Sequence, residues 1–101
     1  MTPKFVTIGG KRWRFVWQPV SPYDGQCDSP TNTNKAIRVA AKLQRRPYRL
    51  LEVAIHEALH AADWTKDDAD WVEPIAEDIA RFLWALGYRR IQDDADKTKG
   101  G

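Results

Sequence analysis

The stretch PYRLLEVAIHEALHAADW, residues 47–64, decides how this chain folds. Pro47 suits the first turn of a helix, because a residue at that position needs no backbone N–H donor. Leu, Ala and Glu, which favour helices, make up most of the residues after Pro47. The stretch therefore predicts a helix over about residues 48–64, with the rest of the chain packed around it.

Both histidines of the chain lie in this helix, four residues apart, at His56 and His60. Residues at that spacing share one face, with Cβ atoms about 5–6 Å apart. Ala54, Ala58 and Ala61 line the opposite side, and small residues suit close packing in a core. We therefore expect the histidines to face a groove above a buried helix.

Glu57 completes the pattern His-Glu-x-x-His. Two imidazoles at this spacing can bind one ion, and a Glu directly after the first lies beside that ion without occupying a ligand position. Zinc lowers the pKa of a bound water to about 7 and polarises a carbonyl. The pattern predicts one zinc ion, with Glu57 as the general base for a water that attacks a peptide bond.

A catalytic zinc site normally has three protein ligands. Cys27 is the only cysteine and there is no third histidine, so a carboxylate is expected. Glu73 is the first choice, and the alternatives are Glu77 and Asp63. Glu73 and Glu77 are four residues apart, so one can bind the metal while the other, or Asp63, hydrogen-bonds a ligand imidazole. Glu73 also has a structural interpretation, as part of a capping box at the start of the next helix.

Before the first helix, FVTIGGKRWRFVWQPV predicts a β-hairpin with Gly9-Gly10 as its turn. Phe5, Thr7 and the aromatic residues from Trp13 onward fall on alternating positions. Residues 21–34 are rich in turn formers and predict a polar connection. Residues 36–40 alternate like a strand. After the first helix, Asp67, Asp68 or Asp70 is available as an N-cap.

A second helix is predicted over about residues 71–86, antiparallel to the first and ended by Gly87. Its apolar stripe is expected to be Val72, Ile75, Ile79, Leu83 and Leu86. Most of the five tryptophans are expected in the core, with Trp64 and Trp71 flanking the turn between the helices. The fold class is therefore α+β, a small antiparallel or mixed sheet packed on two helices. Residues 1–91 form one domain, and residues 92–101 are expected to be a disordered polar tail.

Charge is spread unevenly along the chain. Residues 1–50 carry ten Lys and Arg against two Asp, and residues 51–101 carry six against twelve Asp and Glu. A basic half could meet nucleic acid, but no nucleic-acid motif accompanies it, so mutual neutralisation of the two halves is favoured. No apolar run is long enough to cross a membrane and no secretory signal opens the chain, so we expect a cytoplasmic protein without a membrane partner.

Three stretches carry a resemblance to a known protein family. They are HEALHAADW (56–64), VEPIAEDIARFLWALGY (72–88) and, more loosely, GQCDSP (25–30) before KAIR (35–38). The chain resembles zincin metallopeptidases of the gluzincin branch, and in particular the very small zincin-like proteins of phages and bacterial mobile elements. The resemblance implies His56, His60 and Glu73 as zinc ligands, Glu57 as base, and Glu77 as an acidic residue beside the ligands. It also implies a strand within 35–43 whose free edge holds a peptide substrate, and a bacterial host cytoplasm as location if the protein is phage-encoded.

Two functions are consistent with these features. The first is a zinc-dependent peptidase-like hydrolase acting on a peptide or protein, with Tyr23, Tyr48 or Tyr88 available to stabilise an oxyanion. The alternative is a non-catalytic, zinc-stabilised module that binds a host protein or a nucleic-acid-associated partner through its basic half.

Overall fold

The computed structural model describes residues 3–91, beginning with the expected hairpin. Strands β1 (Phe5–Ile8) and β2 (Lys11–Gln18) pair in antiparallel fashion. Gly9 and Gly10, at φ of 61° and 72°, form the turn between them, as the Gly-Gly pair predicts. In β1 it is Val6 and Ile8 that pack against the core, so Phe5 and Thr7 lie on the open face of the sheet.

A third and a fourth strand complete a sheet with the order β1-β2-β4-β3. Strand β4 (Ala36–Ala40), which was expected, runs parallel to β2 and antiparallel to β3. Strand β3 (Gly25–Cys27) lies in the segment predicted to be only a polar connection, and that prediction is wrong. Its three residues are too few to show an alternating pattern, so pairing with β4 creates this strand.

Helix α1 (Pro47–Ala62) follows a 3₁₀ turn at Ala41–Arg45 and packs across one face of the sheet. It ends two residues before the predicted limit, because Asp63 adopts an extended conformation. The buried side of α1 consists of Leu50, Val53, Glu57 and Ala61. Of the three alanines expected in the core, only Ala61 is buried, whereas Ala54 and Ala58 line a cavity.

Helix α2 (Glu73–Ala85) follows a π-helical turn at Asp68–Val72. Gly87, at φ of 98°, ends it as predicted, and the N–H of Tyr88 donates to the carbonyl of Leu83. The rings of Tyr48, early in α1, and Trp84, late in α2, lie 5.2 Å apart. The two helices are therefore antiparallel, as predicted. Together with the four-stranded mixed sheet, they confirm the predicted α+β class.

The face that α2 buries differs from the predicted stripe. Of the predicted stripe, Val72, in the turn before α2, is fully buried, Ile75, Ile79 and Leu83 are half-buried, and Leu86 is 60% exposed. The fully buried residues within α2 are Ala76 and Ala80, whose small side chains allow close packing. The tryptophans also differ in burial. Trp13 is fully buried, but Trp64 and Trp71 are exposed on the turn between the helices and do not belong to the core.

No helix within residues 3–91 is long and apolar enough to cross a membrane. The predicted polar tail, residues 92–101, lies outside the described part of the chain.

Candidate metal centre

Glu57 lies at the centre of the candidate site, on the buried side of α1. Only 7% of its surface is exposed, and it is the one charged side chain among the buried residues of the described range. Strand β3 passes directly over it. A Cβ atom on Gly25 would lie 2.9 Å from Glu57 Oε2 and 2.6 Å from Val53 Cγ1. Only a glycine therefore allows β3 to approach the helix this closely.

His56 and His60 stand on the neighbouring face of α1, as the helical period predicts. Their ring centroids lie 5.0 Å apart, and both side chains are mostly buried, with 23% and 17% of their surface exposed. Burial, followed by the neighbouring His56, lowers the pKa of His60, although Asp68 opposes the shift. A neutral imidazole is the form that binds a metal ion.

The carboxylate that meets the two histidines belongs to Asp68. Its Oδ1 lies 2.8 Å from His56 Nε2 and 3.6 Å from His60 Nε2. The ligand atoms of these three residues all lie within 4.8 Å of one another. In a four-coordinate zinc site with bonds of ~2.0–2.1 Å, neighbouring ligand atoms are about 3.3 Å apart. Two imidazole nitrogens and one carboxylate oxygen in this arrangement could hold one metal ion.

The carboxylates favoured from the sequence lie elsewhere in the described structure. Glu73 and Glu77 are exposed residues of α2 and do not belong to the His56, His60 and Asp68 group. Asp63 accepts hydrogen bonds from the backbone N–H and the hydroxyl of Thr65, at 3.1 and 2.6 Å. It therefore stabilises the turn after α1.

Asp68 is predicted from the sequence only as a possible N-cap, and the structure gives that role to Asp67. The Oδ2 atom of Asp67 accepts from the N–H of Asp70 at 2.7 Å. The N–H of Val72 donates to the carbonyl of Asp67, five residues earlier, at 2.9 Å. This wide π-helical turn sets where the side chain of Asp68 lies, and no sequence period signals such a turn.

The pKa of Glu57 is raised to about 7, first by burial and then by the nearby negative charge of Asp68. A carboxyl group with this pKa exchanges protons near neutrality, which suits a general acid or base. A metal ion bound by His56, His60 and Asp68 would lower the pKa of Glu57 and favour its ionised form.

These four side chains line an open pocket of about 360 Å³, together with Tyr23, β3 and Trp64. Tyr23 is the only tyrosine among its lining residues. Tyr48 packs on Trp84, and Tyr88 lines a different cavity. Cys27 also faces the pocket, and burial, followed by Glu57 and Asp28, raises the pKa of its thiol to about 12. This thiol is therefore protonated at neutral pH.

The free strand edge beside the pocket belongs to β3. Strand β4, which was expected to offer that edge, is paired with β2 on one side and β3 on the other, so this expectation is wrong. The N–H of Asp28 donates to Ala36, and the N–H of Ala40 donates to Asp24. Because hydrogen-bonded pairs alternate along antiparallel strands, Gly25 and Cys27 direct their backbone groups away from β4. The exposed edge can pair with an extended peptide beside Glu57.

Comparison with known proteins identifies no relative: no protein-family model, no curated protein and no solved structure matches this chain.

Proposed function

We propose that this protein is a zinc-dependent, peptidase-like hydrolase, as its resemblance to proteins with the His-Glu-x-x-His pattern implies. The observation that carries the proposal is the group formed by His56, His60 and Asp68 beside the buried Glu57. The three ligand atoms are close enough for one ion, and the fourth side chain is left free for proton transfer. In this proposal Asp68 takes the ligand position first assigned to Glu73.

In this proposal, different residues of the site bind the metal and transfer the proton. His56, His60 and Asp68 would hold one zinc ion, which supplies Lewis-acid chemistry and lowers the pKa of a nearby water. Glu57 accepts a proton from that water at its carboxylate and delivers it to the departing amine. With the ion bound, its positive charge would lower the pKa of Glu57 and keep the carboxylate ionised, ready to accept that proton.

The substrate is an extended peptide. Gly25 and Cys27 pair their backbone groups with it, which aligns one peptide bond over Glu57. The hydroxyl of Tyr23 donates a hydrogen bond to the oxygen that becomes negative during attack. Its exposed side chain, 58% accessible, can reach a bound peptide from the rim of the pocket. A cytoplasmic location and a phage or mobile-element origin stay predictions.

Replacing Glu57 with Gln tests the proposal. The change keeps the size of the side chain but removes its capacity to accept a proton. We expect one zinc ion per chain in both proteins and a loss of peptide hydrolysis of about 10²–10⁴-fold in the variant. Zinc is measured by elemental mass spectrometry, and hydrolysis with a library of quenched fluorescent peptides. Glu77→Gln, at an exposed position on α2, is the matched control and should keep full activity.

The alternative, a non-catalytic zinc-stabilised interaction module, is favoured by exposed aromatic side chains near the site. Tyr23, Trp64 and Trp71 are 58%, 46% and 36% exposed. Such residues are enriched in protein interfaces. If the zinc-loaded wild-type protein cleaves no peptide and the Glu57→Gln variant keeps its biological effect, this alternative replaces the hydrolase. A wild-type protein without zinc would overturn both.

A further inference from the structure

A second cavity, of about 640 Å³, lies on the side of α1 away from the candidate metal centre. The core-facing side chains of the hairpin form one wall, with Phe15 and Trp17 in edge-to-face contact at 5.0 Å. Ala54 and Ala58 of α1 form another wall, and their small side chains leave the space open. A volume of this size lies within the range of small-molecule sites, roughly 300–1,000 Å³.

The lining is almost entirely apolar, and its charged residues are of one sign. Among the described lining residues there is no Asp or Glu, and the cations are Arg89 and Arg90. Neither guanidinium forms an ion pair with a carboxylate of residues 3–91. Two cations that no carboxylate of residues 3–91 neutralises, beside an apolar cavity, suit a ligand that has an anionic end and an apolar body.

The guanidinium of Arg89 is held in place by its surroundings. Its Cζ atom lies 3.4 Å from the ring centroid of Trp84, and Nη1 donates to the carbonyls of Trp84 and Tyr88 at 3.0 and 2.8 Å. These contacts orient the group but leave its positive charge unneutralised. The Cζ atom of Arg90 lies 5.5 Å from the ring centroid of Trp17, on the wall formed by the hairpin. Both cations therefore lie against the aromatic walls of the cavity.

We propose that this cavity binds a linear aliphatic carboxylate. The chain would lie between the hairpin and α1, against Ala54 and Ala58, and the carboxylate would meet Arg89 and Arg90. A planar guanidinium binds a carboxylate through two parallel hydrogen bonds, which favours this head group over a neutral one. The last ten residues of the chain, QDDADKTKGG, contain no large apolar side chain that could take the place of such a ligand. The site is separate from the candidate metal centre and does not depend on the proposed hydrolysis.

The test measures displacement of a fluorescent apolar dye from the whole chain as purified, without added metal. Octanoate, decanoate and dodecanoate should displace it in that order of increasing affinity, about fourfold per methylene until the cavity is full. Dodecanol, which has the same chain without the charge, should bind about tenfold more weakly than dodecanoate. Equal affinity for dodecanol and dodecanoate would overturn the proposal.

Two variants locate the ligand. Ala54→Leu fills part of the cavity and should weaken dodecanoate binding about tenfold or more, whereas Ala85→Leu, on an exposed part of α2 away from the lining, should not. Arg90→Gln should remove most of the preference for dodecanoate over dodecanol, and Arg90→Lys should keep part of it. Dodecanoate affinity unchanged in both Ala54→Leu and Arg90→Gln would overturn the proposal.

The source of the ligand and other occupants are distinguished in the same assay. Phosphatidylglycerol vesicles should compete poorly, since a packed lipid does not leave its bilayer readily. Displacement by vesicles but not by dodecanoate would indicate a membrane surface instead and overturn the proposal. Light scattering gives the oligomeric state, and a dimer that excludes both dye and dodecanoate would overturn the proposal by showing that a second copy covers the cavity.

Discussion

Asp68 ties the two histidines of α1 to the turn that precedes α2. It is 63% exposed, so water as well as the histidines competes for its carboxylate, and a metal ion would give it a fixed partner. The same carboxylate raises the pKa of Glu57. In the proposed site, one residue outside the helix would therefore affect both the binding of the ion and the pKa of the base.

Replacing Asp68 with Asn is expected to weaken zinc binding on the order of 100-fold or more, because loss of a ligand costs more than loss of a ligand's hydrogen-bond partner. The measurement is competition with a chromophoric chelator at pH 7. Glu73→Gln serves as the matched comparison and should change the affinity less than about threefold. The reverse ranking would return Glu73 to the ligand position.

Gly25 is expected to tolerate no side chain. In Gly25→Ala the new methyl group would press on Val53 and Glu57, at 2.6 and 2.9 Å. We expect the free energy of unfolding to fall by about 1–3 kcal/mol, as for other overpacked sites. The rate of hydrolysis should fall by a larger factor than the affinity for zinc, because the new methyl group displaces Glu57 but not His56 or His60. Thermal unfolding and zinc content are measured together, with the exposed neighbour Gln26→Ala as control. Unchanged stability in Gly25→Ala would mean that β3 lies farther from α1.

Among the elements, the turn Asp68–Val72 has the largest influence on the site. Helix α1 provides three of the four side chains of the proposed site on its own period, but the fourth depends on how the chain reverses between the helices. The carboxylate of Asp67 caps this turn, directly next to the proposed ligand Asp68. The stability of the turn and the affinity for zinc should therefore be linked.

Asp67→Ala removes the cap and is expected to lower the free energy of unfolding by about 1 kcal/mol. Because Asp68 then loses its fixed position, zinc affinity should fall as well, although no ligand has been removed. Urea unfolding and chelator competition report the two effects. Asp78→Ala removes an exposed carboxylate of α2 that pairs with Arg81, and it should affect neither by much. A stability loss in Asp67→Ala without any change in zinc affinity would contradict the link.

At the scale of the whole molecule, Asp28 links the end of the short strand β3 to strand β4 through hydrogen bonds and an ion pair. Its Oδ1 accepts from Arg38 Nη1 at 2.6 Å, and its Oδ2 accepts from the N–H of Ala36 at 2.9 Å. The hydrogen bond from Arg38 is the main cause that lowers the pKa of Asp28 below 3.8. The ion pairs of Asp24 and Asp28 are all made with cations of the same half of the chain, so the two halves are not neutralised through these contacts.

The pair between Asp28 and Arg38 should make stability depend on pH in the acid range. Since the folded-state pKa lies below the ordinary value of 3.8, the carboxylate stabilises the fold above that pH and ceases to do so as the pH falls through the lower value. Asp28→Asn should lower the free energy of unfolding by about 1–2 kcal/mol at pH 7. Denaturant unfolding at pH 7 and pH 3 should show a smaller loss of stability on acidification in the variant than in the wild type. Asp78→Asn, in an exposed pair, should behave like the wild type, and an identical acid response in Asp28→Asn would rule out this role.

The sequence alone determined what depends on local periodicity. The four-residue spacing of His56 and His60 places them on one face of α1 in any fold, and Glu57 falls beside them for the same reason. The Gly9-Gly10 turn, strand β4 and the end of α2 at Gly87 were predictable from local backbone preferences, and each is present in the structure.

Only the tertiary structure decided which residues meet these side chains from other elements. Strand β3 exists because β4 pairs with it, and it reaches Glu57 because Gly25 leaves room. Asp68, rather than Glu73, stands beside the histidines because the path of a π-helical turn, not the order of acidic residues, sets where a carboxylate points. Contacts between residues distant in the chain depend on packing and loop geometry, which no single segment encodes.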